Sequence, residues 1–324
     1  MNEAESRNLA PLQSKLGALV RELGKVVVGQ DALLEQMAIT LVCGGHALIE
    51  GVPGTAKTLA VRAMAMGLSC VAKRIQFTPD LMPSDILGTN VFNLSTNQFD
   101  LHRGPIFTDL LLADEINRAP AKTQSALLEA MSEQHATIDG VRHHLSPVFT
   151  VFATQNPIEF EGTYPLPEAQ QDRFLLKIKV GYPDQEAELE VLEAVDRGGP
   201  LDRLGEGTID PVLDREGLIA ARESLAHVAI EPGVRAYVLA IARATREHDA
   251  VLVGASPRGS IALLVASKAR ALVTGRDFVT PDDVVAMVDP VLAHRLTLAA
   301  EAEIGGTTVQ EVLRSILDTI EVPR

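Results

Sequence analysis

The stretch that most limits what this chain can become is Gly51-Val-Pro-Gly-Thr-Ala-Lys-Thr58, which follows the apolar run His46-Ala-Leu-Ile ending at Glu50. An apolar run that meets a glycine-rich turn reads as a buried strand feeding a loop. A loop that grips phosphate needs small residues, so that consecutive backbone N–H groups can turn inward. It also needs a lysine for the outer phosphates and a hydroxyl for a divalent cation. Gly51, Pro53, Gly54, Thr55 and Ala56 form the small turn, Lys57 and Thr58 supply the amine and the hydroxyl, and Leu59 continues into a helix. The usual pattern has glycine directly before the lysine, and Ala56 places one methyl there. A relaxed version of the pattern arises by chance in roughly 2% of chains this long, so a second motif has to decide.

Around the loop, strands and helices alternate. Leucines at helical spacing fill 9–24 and 31–42, on either side of Val26-Val-Val-Gly-Gln30. A helix over 58–66 would point its N-terminus at the phosphates, where the peptide dipoles favour negative charge. Short strands are expected at 74–77, 110–113, 148–153 and 174–180, and such alternation predicts a parallel sheet wrapped by helices. Two segments interrupt it. Residues 84–104 are turn-rich with short apolar pieces, and 136–147 has the pattern of a hairpin turning at Asp139-Gly140. After Tyr182-Pro183, helices are expected at 185–195, 215–226, 232–248, 258–272 and 281–296, with a loop over 197–211. A boundary near 182 therefore divides an α/β domain, 1–182, from an all-α domain, 183–324.

The second motif is Leu110-Leu-Leu-Ala-Asp114-Glu115, a buried strand that delivers two carboxylates to the C-terminal edge of a sheet. This is the Walker B pattern. Asp114 is expected to hold Mg2+ through water, because Mg2+ dehydrates reluctantly, and Glu115 to orient the water that attacks the γ-phosphate. Together the two motifs predict an ATP site. A strand ending at Phe152-Ala-Thr-Gln-Asn156-Pro157 places an amide beside the phosphate-loop strand, as a γ-phosphate contact or as an Asx turn before the proline. Arg173, in Asp172-Arg-Phe, sits at a helix end before a strand. It is either a solvated helix-end residue or a cation for a phosphoryl-transfer transition state, one that a neighbouring subunit can use. Arg258, in Ser256-Pro-Arg-Gly, opposes the dipole of the helix it opens and calls for an anionic partner.

With these motifs the chain resembles the AAA+ ATPases and, within them, the MoxR family. The resemblance rests on the phosphate loop, Arg74-Ile-Gln-Phe-Thr-Pro-Asp-Leu-Met-Pro-Ser-Asp85, Gly104-Pro-Ile-Phe, Asp114-Glu-Ile-Asn-Arg-Ala-Pro, Ala153-Thr-Gln-Asn-Pro, Leu166-Pro-Glu-Ala-Gln with Asp172-Arg-Phe, and Ser256-Pro-Arg. It covers about residues 26–300. It implies a P-loop AAA+ nucleotide domain followed by an all-α lid, with ATP and Mg2+ as cofactors. Asn156 looks like sensor 1, Arg173 like an arginine finger acting in trans, and Arg258 like sensor 2, while Val28 and Gly29 would lie against the adenine. Segment 84–104 looks like the helix-2 insert and 136–147 like the hairpin before sensor 1, both facing the pore of a ring. A hexameric, chaperone-like ATPase that remodels partner proteins is implied, commonly partners bearing a von Willebrand factor A domain. A motor subunit like that of magnesium chelatase shares the same inserts and sensors.

Composition narrows the alternatives. There are 29 Lys and Arg against 43 Asp and Glu, a net charge of −14, which weighs against a broad grip on nucleic acid or anionic lipid. A DNA-acting AAA+ protein is further disfavoured by the lack of a helix-turn-helix module and of a Gly-Ala-Phe-Thr-Gly-Ala loop. A scaffold that binds nucleotide without hydrolysing it would have no use for Glu115. Cys43 and Cys70 lie in apolar surroundings without metal-ligand spacing and read as buried thiols of a reducing compartment. The polar start and the lack of a long apolar run indicate a cytoplasmic chain without a membrane span. His102-Arg103 and His143-His144 are unsuited to a shared metal, since adjacent residues on a strand face opposite ways, and read as polar loop tips.

Overall fold

The computed structural model describes residues 9–52, 54–156, 163–196 and 208–323. Pro53, Pro157 and most of the expected loop at 197–211 lie outside the described residues. Two helices, α1 (Ala10–Gly24) and α2 (Asp31–Cys43), come first. Gly44 ends α2 at φ 68°, the left-handed cap position where a side chain would be strained. Next come β1 (Ala47–Gly51), α3 (Lys57–Gly67) and β2 (Ala72–Gln76), then a short α4 (Pro83–Leu87) and the antiparallel pair β3 (Gly88–Asn93) and β4 (Gln98–Arg103). β5 (Leu110–Asp114) leads into α5 (Ala121–Glu133), a second hairpin of β6 (His135–Ile138) and β7 (Val141–His144), then β8 (Thr150–Gln155), α6 (Glu168–Gln171) and β9 (Leu176–Val180).

Five strands form one parallel sheet in the order β2-β5-β8-β1-β9. Alternate residues of each strand leave by opposite faces, and both faces are buried. Ala47, Ile49, Leu110 and Leu112 join the core formed with α1, α2 and α3. Leu48, Leu111 and Ala113 join a second core with Leu127, Leu128 and Met131 of α5. The strand continuity expected from the apolar runs is therefore that of a three-layer α/β/α unit. The expected hairpin turns at Asp139 (φ 48°) and Gly140 (φ 80°), the double positive-φ geometry of a two-residue turn. Segment 84–104, legible in the sequence only as turn-rich, is α4 followed by the β3–β4 hairpin.

Beyond residue 182 the helices are α7 (Gln185–Asp196), α8 (Arg215–Ser224), α9 (Pro232–Glu247), α10 (Pro257–Val273) and α11 (Pro281–Leu292). α11 stops short of the expected 296 because Pro290 removes a backbone donor in its last turn, and a 3-10 turn over Ala293–Arg295 follows. A two-stranded sheet of β10 (Val251–Val253) and β11 (Thr297–Leu298), with α12 (Ala300–Ile304) and α13 (Val309–Thr319), completes the chain. These four elements are not among those expected from the sequence. Leu34 and Met37 of α2 share one buried cluster with Leu263, Ala266 and Leu272 of α10, so the helical part is welded to the α/β part.

A charged network crosses the same contact. The Asp283 side chain, fully buried, accepts from Arg270 at 2.7 Å, from Arg276 at 2.5 and 2.6 Å, and from the Thr280 backbone N–H at 2.9 Å. Arg270 reaches on to Glu35 of α2 at 3.0 Å. Burial would raise the Asp283 carboxyl, but Arg276 and Thr280 hold it below the usual carboxylate range. Its contribution is complete above the unfolded carboxyl pKa and disappears as pH falls through the lowered folded value. Breaking a buried pair costs about 3–5 kcal/mol, and the half-exposed arginines can rehydrate, so Asp283→Ala should cost about 3 kcal/mol. Urea unfolding at neutral pH measures this, and a loss under about 1 kcal/mol would show that the network does not hold the two parts together.

Candidate nucleotide-binding site

The C-terminal ends of β1, β5 and β8 lie side by side, which brings the phosphate loop, Asp114, Glu115 and Asn156 to one edge of the sheet. That edge is where open α/β sheets bind ligands. Gly51 is required there: a β-carbon would stand 2.5 Å from the Val180 carbonyl oxygen of the neighbouring strand. Gly54 turns at φ 84° with open space where its side chain would be, leaving room for a ligand against the backbone. Thr55, buried, ties the loop by donating to the Val52 carbonyl at 2.9 Å. Ala56 takes the left-handed conformation, φ 60° and ψ 15°, so the residue that replaces the usual glycine still adopts a glycine-like backbone. That conformation costs about 1–2 kcal/mol for an L-residue, and the methyl recovers part of it by packing on the core.

α3 begins at Lys57, with Thr58 and Leu59 in its first turn, all half-buried. The Lys57 amine donates to the Gly51 carbonyl at 2.5 Å and the Val52 carbonyl at 3.0 Å, curled over the loop it would serve. Burial pulls its pKa down and the nearby carboxylates of Asp114 and Glu115 push it up. An anion among the loop N–H groups is the natural replacement for those carbonyls.

Asp114 is buried and held by three hydrogen bonds from two side chains. Its Oδ2 accepts from Arg74 Nη2 at 2.6 Å and Nε at 3.1 Å, and its Oδ1 accepts from Thr154 Oγ1 at 2.5 Å. The same Thr154 oxygen accepts from the Glu115 backbone N–H at 2.9 Å, so one hydroxyl spaces both acids. Glu115 is left-handed at φ 56°, a strain typical of functional positions. Its carboxylate accepts from Gln76 at 2.7 Å and Arg118 at 3.0 Å. Arg74, Gln76, Arg118 and Thr154 were not assigned roles from the sequence. A parallel register pairing β2 with β5, and β5 with β8, is the signal that finds Arg74, Gln76 and Thr154.

The donor set fits a hydrated magnesium ion bridged to phosphate. Asp114 and the Thr58 hydroxyl supply hard oxygens, and a Mg2+ bound there keeps several waters rather than demanding an all-protein cage. Arg74 neutralises Asp114 Oδ2. Among the described residues there is no separate cluster of three or more His, Cys, Asp or Glu side chains.

The remaining expected residues fall around this edge. Asn156 is buried directly after β8, next to β1. Val28 and Gly29 lie in the turn between α1 and α2. Gly29, at φ 71°, would place a β-carbon 2.5 Å from Ala187 of α7, so this turn packs directly against the start of the helical part. Gln30 secures that contact by donating to the Gly181 carbonyl at 3.0 Å. Arg258 is exposed in the first turn of α10, whose Ser256 side chain caps Gly259 N, and among the described residues it has no carboxylate partner. Arg173 is exposed away from this edge, donating to the Leu128 carbonyl at 2.8 Å and Ser132 Oγ at 2.6 Å on α5. Among the described residues no carboxylate partners it.

Both cysteines are half-buried free thiols whose pKa burial raises, to about 11 for Cys70. Among the described residues no helix is long and apolar enough to cross a membrane.

Comparison with known proteins agrees with this geometry. Residues 46–176 match the ATPase family associated with various cellular activities (AAA), and 243–316 match the AAA lid domain. The chain is 43% identical to Chaperone MoxR1 of Mycobacterium tuberculosis, over 98% of this chain and 85% of that protein. It is also 43% identical to protein YeaC of Bacillus subtilis, over 99% and 98% of the two chains. A crystal structure of a candidate ATPase from Cytophaga hutchinsonii superimposes with a TM-score of 0.90 at 38% identity, covering 99% of each chain. With an α/β nucleotide domain, a helical lid and relatives of this identity over nearly its whole length, the chain belongs to the MoxR family of AAA+ ATPases.

Proposed function

We infer that this ATPase works as a ring, hydrolysing MgATP at sites completed by a neighbouring subunit and using the energy to remodel client proteins. The observation that carries the reading is the split of the machinery. Lys57, Asp114, Glu115 and Asn156 share one sheet edge, whereas Arg173 is exposed elsewhere with no acid of its own site in reach. In this reading Gly51 to Leu59, Pro53 included, cradle the phosphates, Val28 and Gly29 border the base, and Lys57 leaves its two carbonyls for phosphate oxygens. A Mg2+ held by Thr58 and Asp114 would neutralise phosphate charge. Glu115, released from Gln76 and Arg118, orients the attacking water, and Asn156 holds its position. Arg258 meets the phosphates from the lid. Arg173 meets them from the next subunit.

A client protein, by family likeness one bearing a von Willebrand factor A domain, would meet the two hairpins. Leu94 is 88% and Phe99 69% exposed on the first, which is the apolar display a protein-binding tip needs. The net charge of −14 favours a protein client over nucleic acid, and the reading places the protein in the cytoplasm.

Lys57→Ala should weaken nucleotide binding roughly 100-fold, the scale of lost charge-assisted hydrogen bonds, with little change in melting temperature, since the amine touches only loop carbonyls. A fluorescent-nucleotide titration beside a melting curve checks this. Unchanged affinity would remove the phosphate loop from the mechanism.

A further inference from the structure

The segment that carries Arg173 is gripped from the lid by one buried side chain. Arg295 follows α11, and its side chain is only 5% exposed. Its Nε donates to Asp172 Oδ1 at 2.8 Å, and its Nη2 to the carbonyls of Phe174 at 2.8 Å and Asp172 at 3.3 Å. Its Nη1 donates to the Leu175 carbonyl at 3.1 Å and to the Val291 carbonyl. Both residues flanking Arg173 are thus bonded to a single guanidinium. His294 adds a bond from Nε2 to the Phe174 carbonyl at 3.0 Å, and Thr297 donates to Glu168 of α6 at 2.7 Å.

The other side of Arg295 faces the lid helix that opens with Arg258. A β-carbon on Gly259 would stand 3.4 Å from Arg295 Cδ, so the start of α10 lies directly against the clamp. Burying a guanidinium is costly unless its donors are used, and four of these five bonds go to one short loop, the fifth to the Val291 carbonyl of α11. Packing alone would be served by an apolar side chain. A planar fork is what fixes the orientation of several carbonyls at once.

We propose that Arg295 is a positioning residue that ties the loop carrying Arg173 to the lid, so that lid placement in one subunit sets how Arg173 is presented to the next. This rests on the reading of Arg173 as a finger acting in trans. The chain of contact runs from Arg258 through Gly259 and Arg295 to Asp172 and Phe174, and so to Arg173.

Two variants of the full-length, assembled protein test it. Asp172→Asn keeps the shape and weakens the bond from Nε, while Arg295→Lys keeps the charge and loses the fork. Each should lower kcat about tenfold, within the usual range of coupling between sites, while KM for ATP stays within about twofold. Mixing either variant with Lys57→Ala subunits, whose clamp and finger are intact, should restore activity. A lesion confined to the variant's own fold would instead lower nucleotide affinity or melting temperature and would not respond to mixing. Arg173→Ala is mixed with Lys57→Ala in parallel. If that pair does not recover, the trans reading and this proposal fall together. If it recovers while Asp172→Asn keeps full kcat, or loses activity that mixing cannot restore, the clamp alone is overturned. Should Arg295→Lys fail to fold, Asp172→Asn decides by itself, because that side chain is 28% exposed and the exchange is isosteric.

Discussion

Arg173→Ala should bind ATP with near-normal affinity yet lose about 10³–10⁵ in turnover, the usual worth of an arginine finger. Among the described residues Arg173 bonds to the Leu128 carbonyl and Ser132 on α5, so its removal should leave the phosphate loop of its own chain unchanged. Under the proposed shared site, the lost charge would be missing from the neighbour's transition state. Mixed assemblies make the point independent of absolute rates: a Lys57→Ala subunit, which should hold nucleotide only weakly, would still lend its Arg173 to an Arg173→Ala subunit with an intact loop. Turnover should partly return as the two are combined. If native mass spectrometry shows co-assembly and no mixing ratio recovers activity, Arg173 is a helix-end residue that braces α5 and the shared-site reading is wrong.

The second large effect is expected at Glu115. Glu115→Gln preserves the side-chain shape and the backbone N–H bond to Thr154, so nucleotide binding should be retained. An amide cannot polarise the attacking water, and turnover should fall by about 10² or more. The exchange also weakens the contact of the carboxylate with Arg118, which sits 3.0 Å away, but an exposed ion pair of that kind contributes little to stability. Single-turnover phosphate release, compared with equilibrium binding, separates the two effects. Normal phosphate release would mean that another group positions the water. The same variant traps the ATP-bound state and suits affinity capture of the client.

Much of this site was legible because its signals are local. A strand, a small-residue turn, a lysine and a hydroxyl within eight consecutive positions specify a phosphate loop. Four apolar residues ahead of Asp114-Glu115 specify a buried strand that ends in acids. Asp139-Gly140 specifies its turn because only such residues take two positive-φ positions in succession at low cost. Period-2 burial, which directs Leu110 and Leu112 to one core and Leu111 and Ala113 to the other, is likewise a property of consecutive residues.

The partners of those residues were decided by the tertiary structure. Arg74 and Gln76 reach Asp114 and Glu115 only because β2 pairs with β5 in a given register, and Thr154 joins them only because β8 lies on the other side. β11 is two residues long and exists because β10 pairs with it across a bulge, too short a pattern to stand out from loop. Among the described residues no acid partners Arg258, although its place in a helix's first turn calls for an anion. Arg295 is an ordinary arginine in the sequence, more than a hundred positions from Asp172, Phe174 and Leu175. Its role arises because folding buries it, and a buried guanidinium has to find acceptors wherever the chain brings them. The sequence by itself determined which residues can carry the chemistry, since that depends on functional groups at short spacing. Strand order and burial decided which of them are held, neutralised or left exposed, because those are properties of contacts between distant segments.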